Sequence, residues 1–255
     1  MAQSNYFSHA SAAERYAQFR PYFHPLAIEH LVRFTGCARF ANALDVACGT
    51  GQSTRALSEV AAKVVAIDNS PAMQALAPAL PNVVYQIGEA EKLPFPAEAF
   101  DLITVGKAFH WFDQDSFLRE ANRVLKPRSW LFIYNNVFMG HMKECAELKS
   151  WIEKSYLMRY ATTPRARKKL TDANVREFGF ELTGRENFFN DVPMSCEQLV
   201  GYFLSQSNVI AAVEQGSETI EEVAAWIDQG VRPFFKDATG TMQFGSDVWY
   251  LRKSA

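Results

Sequence analysis

Cysteine is scarce and unpaired in this sequence. Cys37, Cys48, Cys145 and Cys196 lie far apart with no CxxC spacing. That excludes a zinc ribbon or a disulfide framework and predicts reduced, mostly buried thiols in a cytoplasmic chain without a metal site. An excess of charge of one sign is missing too. The 26 Lys and Arg against 28 Asp and Glu leave a net charge of −2, so no global basic field argues for nucleic acid or an anionic membrane. No apolar run approaches the length of a membrane span. The opening MAQSNYFSHASAAERYAQFRP lacks the uninterrupted apolar core of a signal peptide or an anchor. Low-complexity linkers and internal repeats are also absent. One cooperative unit over residues 1–255, with ample core, is the expectation.

What is present is a regular alternation of apolar strands and amphipathic helices. NALDVA, KVVAID (63–68), NVVYQIG (82–88), FDLITVG (100–106) and SWLFIYNN (129–136) read as five strands. Between them, Ser70 and Pro71 mark a helix start as N-cap and first helical residue. DQDSFLREANRVLK places Phe117, Leu118, Ala121, Val124 and Leu125 on one helical face. Strands that are nearly all apolar and alternate with helices predict an α/β fold, a doubly wound and mostly parallel sheet covered on both faces. Residues 138–170 read as helical. FELTGRENFFNDVPMS (180–195) and TMQFGSDVWYLRKS (241–254) alternate as two late strands, with helical segments near 197–205 and 218–229 between them. They suggest an antiparallel finish to the sheet, with residues 1–40 and 138–235 as variable, substrate-facing cover.

The stretch ALDVACGTGQST (43–54) carries the chemistry. In an open parallel sheet the ligand sits beyond the carboxyl ends of the strands, where strand order reverses, and this loop follows the first strand. A dinucleotide fingerprint requires a third glycine, but Thr54 holds that slot after Gly49 and Gly51. A P-loop requires GK[ST], and GQST has no lysine. Asp45, four residues before Gly49, repels a pyrophosphate and suits an ammonium group. S-adenosylmethionine, with an ammonium and a sulfonium, fits that acid. Asp68 ends the second strand, where a carboxylate accepts ribose hydroxyls in nicotinamide and S-adenosylmethionine enzymes alike. Glu89 and Ala90 follow the third strand, within reach of an adenine edge.

The series Asp45-Val-Ala-Cys-Gly-Thr-Gly51, Asp68, GEAEKLPFPAEAFDLIT and FHWFD…FLREANRVLKP resembles class I S-adenosylmethionine-dependent methyltransferases. It is most similar to the type 11 domain and its trans-aconitate-methyltransferase-like branch, densely over residues 44–134. The resemblance implies a Rossmann-like seven-stranded sheet with a cofactor-binding core at 44–134. It also implies S-adenosylmethionine as methyl donor, S-adenosylhomocysteine as product and a small-molecule acceptor, with a carboxylate or a hydroxyl oxygen as the accepting atom. By the same resemblance Asp45 and the Gly49–Gly51 backbone surround the methionine portion, Asp68 holds the ribose, Met73 touches adenine, and Glu89 and Ala90 line the adenine pocket. Tyr16 and Arg20 fold over the methionine end. Ala47 stands where glycine is frequent, a mild change that adds one methyl under the loop. KPRSW (126–130) replaces a KPGG turn.

His110, in KAFHWFD after the fourth strand, is read two ways, as acid–base or acceptor-binding group and as packing with Trp111. His141 reads as solvated, and Arg165, Arg167, Lys168 and Lys169 as a solvated helix face. An RNA-modifying methyltransferase is disfavoured by the net charge of −2, and a nicotinamide oxidoreductase by Thr54 and Asp45. A non-catalytic binder of the same cofactor stays open.

Overall fold

A computed structural model describes residues 7–162, 170–214, 216 and 218–255. The strands are β1 (Phe40–Val46), β2 (Ala61–Asp68), β3 (Val83–Ile87), β4 (Phe100–Gly106), β5 (Leu125–Met142), β6 (Phe180–Met194) and β7 (Gly240–Lys253). They form one seven-stranded sheet in the order β3-β2-β1-β4-β5-β7-β6. Pairs β1–β2, β1–β4, β2–β3 and β4–β5 are parallel. The order therefore turns around between β1 and β4, which makes their carboxyl ends the switch point where such sheets bind ligands.

The chain divides into two compact units. The first comprises Tyr22–Asn136, Arg165–Asn187 and Ser246–Ala255; the second comprises Met1–Pro21, Val137–Pro164 and Phe188–Gly245. In the first unit, Leu44, Val46, Ile67, Ile103, Val105, Leu131 and Ile133 of the strands are buried. The helix Gln114–Val124 sets Phe117, Leu118, Ala121 and Val124 against them. Asp113 caps that helix by accepting from Ser116 N at 3.0 Å, a bond that orders its first turn. The second unit has its own core, built from Leu148, Tyr156, Leu199, Phe203, Val223, Ile227, Val231 and Phe244. No helix among the described residues is long and apolar enough to cross a membrane.

Both ends of β5 differ from the sequence reading. The KPRSW stretch is not a turn into a strand. Arg128 adopts φ 62°, and the β4–β5 register shifts between Phe100 and Leu102, so β5 already begins at Leu125 and bulges past this residue. The strand then continues to Met142 instead of turning helical at 138. Short helical pieces come after it at Glu147–Trp151, Ile152–Tyr156 and Leu157–Arg159. The helix started by Ser70 and Pro71 is a single turn, Pro71–Gln74.

Candidate functional site

The loop after β1 takes its shape from three left-handed residues, Ala47 at φ 57°, Gly49 at 54° and Gly51 at 75°. Glycine enters this region without penalty. At Gly51 it is also required by space: a Cβ there lies 2.9 Å from Ala77 Cβ and Pro78 Cδ and 3.0 Å from Tyr85 Oη. Gly51 is the N-cap of the helix Gln52–Ser58. Ala47 meets the left-handed requirement with a methyl group attached, which costs an L-residue roughly 1–2 kcal/mol. The extra methyl is therefore a backbone strain, a larger matter than its volume.

Two buried carboxylates lie beneath this loop. Asp45 Oδ2 accepts from Ser53 Oγ at 2.6 Å and Thr54 Oγ1 at 2.7 Å, and Oδ1 accepts from Thr104 Oγ1 at 2.8 Å. The Asp45 side chain has no exposed surface, and burial pushes its carboxyl up. Thr54, in the slot of a third glycine, is thus a hydrogen-bond donor within the loop's foundation. Asp68 accepts the Gly49 N–H on Oδ2 at 2.7 Å and the Ser70 N–H on Oδ1 at 2.8 Å; burial raises its pKa as well. The carboxylate at the end of β2 thereby ties the glycine loop to the turn that carries Met73. Met73 is buried, and its Cε lies 3.1 Å from where a Cβ on Gly49 would stand. Asp45, Ala47, Gly49, Gly51, Asp68 and Met73 are brought together as one arrangement.

Glu89 and Ala90 open the segment after β3, Glu89 exposed and Ala90 buried. A clamp from the helix Gln114–Val124 holds the rest of that segment at Leu93 and Phe95. Arg123 donates to Phe95 O at 2.7 Å and Leu93 O at 2.9 Å, and Glu120 Oε2 accepts the Leu93 N–H at 2.9 Å. Glu120 and Arg123 are joined by two further bonds of 2.7 Å, and Arg123 holds the Glu120 carboxyl below its usual range. Sequence reading missed this pair because ExxR on a helix signals only a common surface ion pair.

Beyond β4, Lys107 is left-handed at φ 58° and donates its N–H to Tyr134 O at 2.8 Å. Tyr134 is buried and its hydroxyl lies 2.9 Å from His24 Nδ1. Burial, reinforced by the Lys107 charge, lowers the His24 pKa to about 3, so the imidazole is neutral near pH 7. His110 comes next in the 3-10 turn Phe109–Trp111, half-buried, its ring 4.8 Å from Trp111.

Tyr16 and Arg20 belong to the second unit. Arg20 Nη2 donates to Ser205 O at 2.7 Å, and its guanidinium lies 4.9 Å from the centre of the Tyr16 ring and 5.1 Å from that of Tyr202. His141, also in this unit, is half-buried, with Nδ1 shielded and without a hydrogen-bond partner among the described residues. Arg165, Arg167, Lys168 and Lys169 lie outside the described residues. No group of three or more His, Cys, Asp or Glu among the described residues is arranged to hold a metal.

A doubly wound sheet with a glycine loop over two buried acids at its switch point defines the chain as a Rossmann-like α/β protein. Comparison with known proteins narrows this. The family model for a methyltransferase domain matches residues 44–133. A Dictyostelium discoideum methyltransferase is 31% identical over 183 residues, covering 70% of this chain and 68% of that protein. The structure of an Anaeromyxobacter dehalogenans methyltransferase aligns with a TM-score of 0.65 at 22% identity, over 88% of this chain and 94% of that one. A Haemonchus contortus methyltransferase solved with phosphomonomethylethanolamine and S-adenosylhomocysteine aligns at 0.56 and 15% identity, over 100% of this chain and 60% of that one. At these identities the structural likeness is one of fold. The chain belongs to the methyltransferase family, and its fold is that of the class I enzymes.

Proposed function

We propose that the chain transfers a methyl group from S-adenosylmethionine to a small-molecule acceptor, at a carboxylate or hydroxyl oxygen. The observation that carries the reading is the footing of the glycine loop: Thr54, in the slot of a dinucleotide loop's third glycine, donates to the buried Asp45 at 2.7 Å, and Asp68 at the end of β2 accepts the Gly49 N–H at 2.7 Å. An acid at the end of the second strand accepts ribose hydroxyls; the threonine in place of a third glycine is what disfavours a dinucleotide. The surrounding residues fit the donor. Gly49 and Gly51 let the loop close against Met73 and against Ala77, Pro78 and Tyr85, and Thr50 Oγ1 is buried with no hydrogen-bond partner among the described residues. A buried hydroxyl left in that state calls for a partner, which a bound ligand would supply.

In this reading the backbone of Ala47, Gly49 and Gly51 borders the methionine portion, Asp68 holds the ribose, Met73 packs on adenine, and Glu89 and Ala90 line the adenine edge. Asp45 acts from below, fixing the hydroxyls of Ser53, Thr54 and Thr104 and through them the loop. Bound S-adenosylmethionine supplies an electrophilic methyl on a sulfonium. The chain's own residues bind, align and exclude water, and alignment alone accounts for roughly 7–11 kcal/mol of a barrier. An ionised carboxylate acceptor needs no base; a hydroxyl acceptor would lose its proton to His110.

Calorimetric titration with S-adenosylhomocysteine tests the reading, with NADH as the contrast. The wild type is expected to bind the former and not the latter. Asp68→Ala is expected to weaken binding at least tenfold, since two charge-assisted hydrogen bonds contribute about 1.5–3 kcal/mol each; Asp68→Asn should retain part of the affinity. Micromolar NADH binding without S-adenosylhomocysteine binding overturns the proposal. Unchanged binding in Asp68→Ala moves the ribose elsewhere.

A further inference from the structure

Gln114 holds a buried amide oxygen that the fold does not pair. The residue opens the helix Gln114–Val124 and is 7% exposed. Its Nε2 donates to Phe109 O at 3.2 Å, which fixes the amide the one way round that sets a donor against that carbonyl. Oε1, on the other side, is buried without a hydrogen-bond partner among the described residues. A shielded acceptor in that state requires a donor. Ala90, Leu93, Ala108 and Phe112 belong to the apolar cluster into which the helix packs, and in such surroundings a hydrogen bond is stronger than in water.

The connections of the helix start narrow the donor. Gly88 N–H donates to Asp68 O at 3.0 Å and Lys92 N–H to Glu89 O at 3.3 Å, so the turn after β3 folds back beside the end of β2. Glu91 Oε1 accepts the Asp113 N–H at 2.9 Å, which holds the residue directly before Gln114 to that same turn. Hydrogen bonds thus link Asp68, the turn and the start of the helix in series. The adenine edge of the cofactor belongs at this turn, and its exocyclic amine is a donor with two N–H bonds. We infer that Gln114 is a specificity-determining residue of the cofactor site, its Oε1 accepting from the exocyclic amine of adenine. This rests on the methyltransferase reading above. The second N–H of the amine is left for Glu89, which is exposed. A 6-oxo purine would set oxygen against oxygen at Gln114, so the site selects adenine over such bases.

The test is calorimetric titration of the full chain with S-adenosylhomocysteine and with its analogue carrying hydrogen in place of the 6-amino group. A site built around an N–H rejects the analogue that lacks it, because the buried acceptor stays unpaired; the wild type should prefer S-adenosylhomocysteine by roughly tenfold or more. Gln114→Met keeps the length of the side chain without the acceptor, and the preference should fall to within about threefold. Glu89→Ala changes an exposed position, where a hydrogen bond is exchanged against water, and should keep a preference of roughly tenfold. A merely structural Gln114 would shift both ligands together and leave their ratio unchanged. Equal affinity of the wild type for the two ligands, a preference that survives in Gln114→Met, or one that vanishes in Glu89→Ala overturns the inference and leaves the methyltransferase reading standing. Failure of the wild type to bind S-adenosylhomocysteine overturns both.

Discussion

Asp45→Ala removes the acceptor of three hydroxyls, those of Ser53, Thr54 and Thr104. All three residues are buried, so water reaches them only if the loop opens, and each hydroxyl left unpaired costs about 1–3 kcal/mol. Three such hydroxyls, with some relaxation of the loop, set the expected loss at roughly 3–5 kcal/mol. In a chain of this size 1 kcal/mol moves the melting temperature by about 2–4 °C, so the variant should melt roughly 6–20 °C lower. Asp45→Asn is gentler: its oxygen still accepts from Ser53 and Thr54, and its amide donates to Thr104 Oγ1, which also accepts. The comparison has a pH signature. Burial raises the Asp45 pKa in the folded state, so the native protein holds this proton more tightly than the unfolded chain does. Stability from the group is full below the unfolded pKa of about 3.9 and declines as pH rises through the raised native value. Asp45→Asn lacks that decline, and its melting temperature should gain on the wild type as pH climbs from about 4. Thermal unfolding between pH 4 and 8, with and without S-adenosylhomocysteine, reads all of this. An Asp45→Asn protein with wild-type stability but no stabilisation by the ligand would refute the argument, because the carboxylate would then be touching the ligand itself.

Two further substitutions test the supports of the same site. Ala47→Gly relieves a left-handed alanine worth roughly 1–2 kcal/mol but loosens the unfolded chain by about 0.4–1 kcal/mol, so the melting temperature should rise by up to about 6 °C; a fall would show that the methyl's contacts outweigh the strain. Arg123→Met takes the donor from Phe95 O and Leu93 O and should speed amide exchange across residues 89–95. Arg123→Lys should not restore protection, since an ammonium cannot reproduce the planar fork. Exchange unchanged in Arg123→Met would mean that Glu120 and the buried Leu93 hold the segment without it.

Where side-chain periodicity and capping act locally, the sequence was enough. FDLITVG became β4 at 100–106 without adjustment, and the face Phe117, Leu118, Ala121, Val124 is buried as its spacing requires. β5 was harder for a physical reason. Arg128 in the left-handed region looks like any surface arginine in a string of letters, and a bulge is visible only in the register it shifts. VFMGHM, at 137–142, has no period long enough to separate strand from helix, and membership in the sheet beside β7 decides it.

The site shows the same division between what is local and what depends on strand order. The glycines, Asp45 and Asp68 are recognisable because a left-handed turn at the end of a strand admits few residue types. What Asp45 does there is another matter. Its partner Thr104 is 59 residues away in sequence and meets it only because β4, and not β2, flanks β1 on that side, with Asp45 opposite Thr104. An acid in that position attracts an ammonium when it faces the ligand and organises hydroxyls when it faces the sheet interior, and the letters around it are identical in both cases. Lys107 differs in kind: its charge is legible, but its placement depends on Tyr134 reaching across from β5 to fix the backbone. Residues that shape the loop through their backbone can therefore be found from motif spacing. Those that act through a neighbouring strand require the order of the sheet.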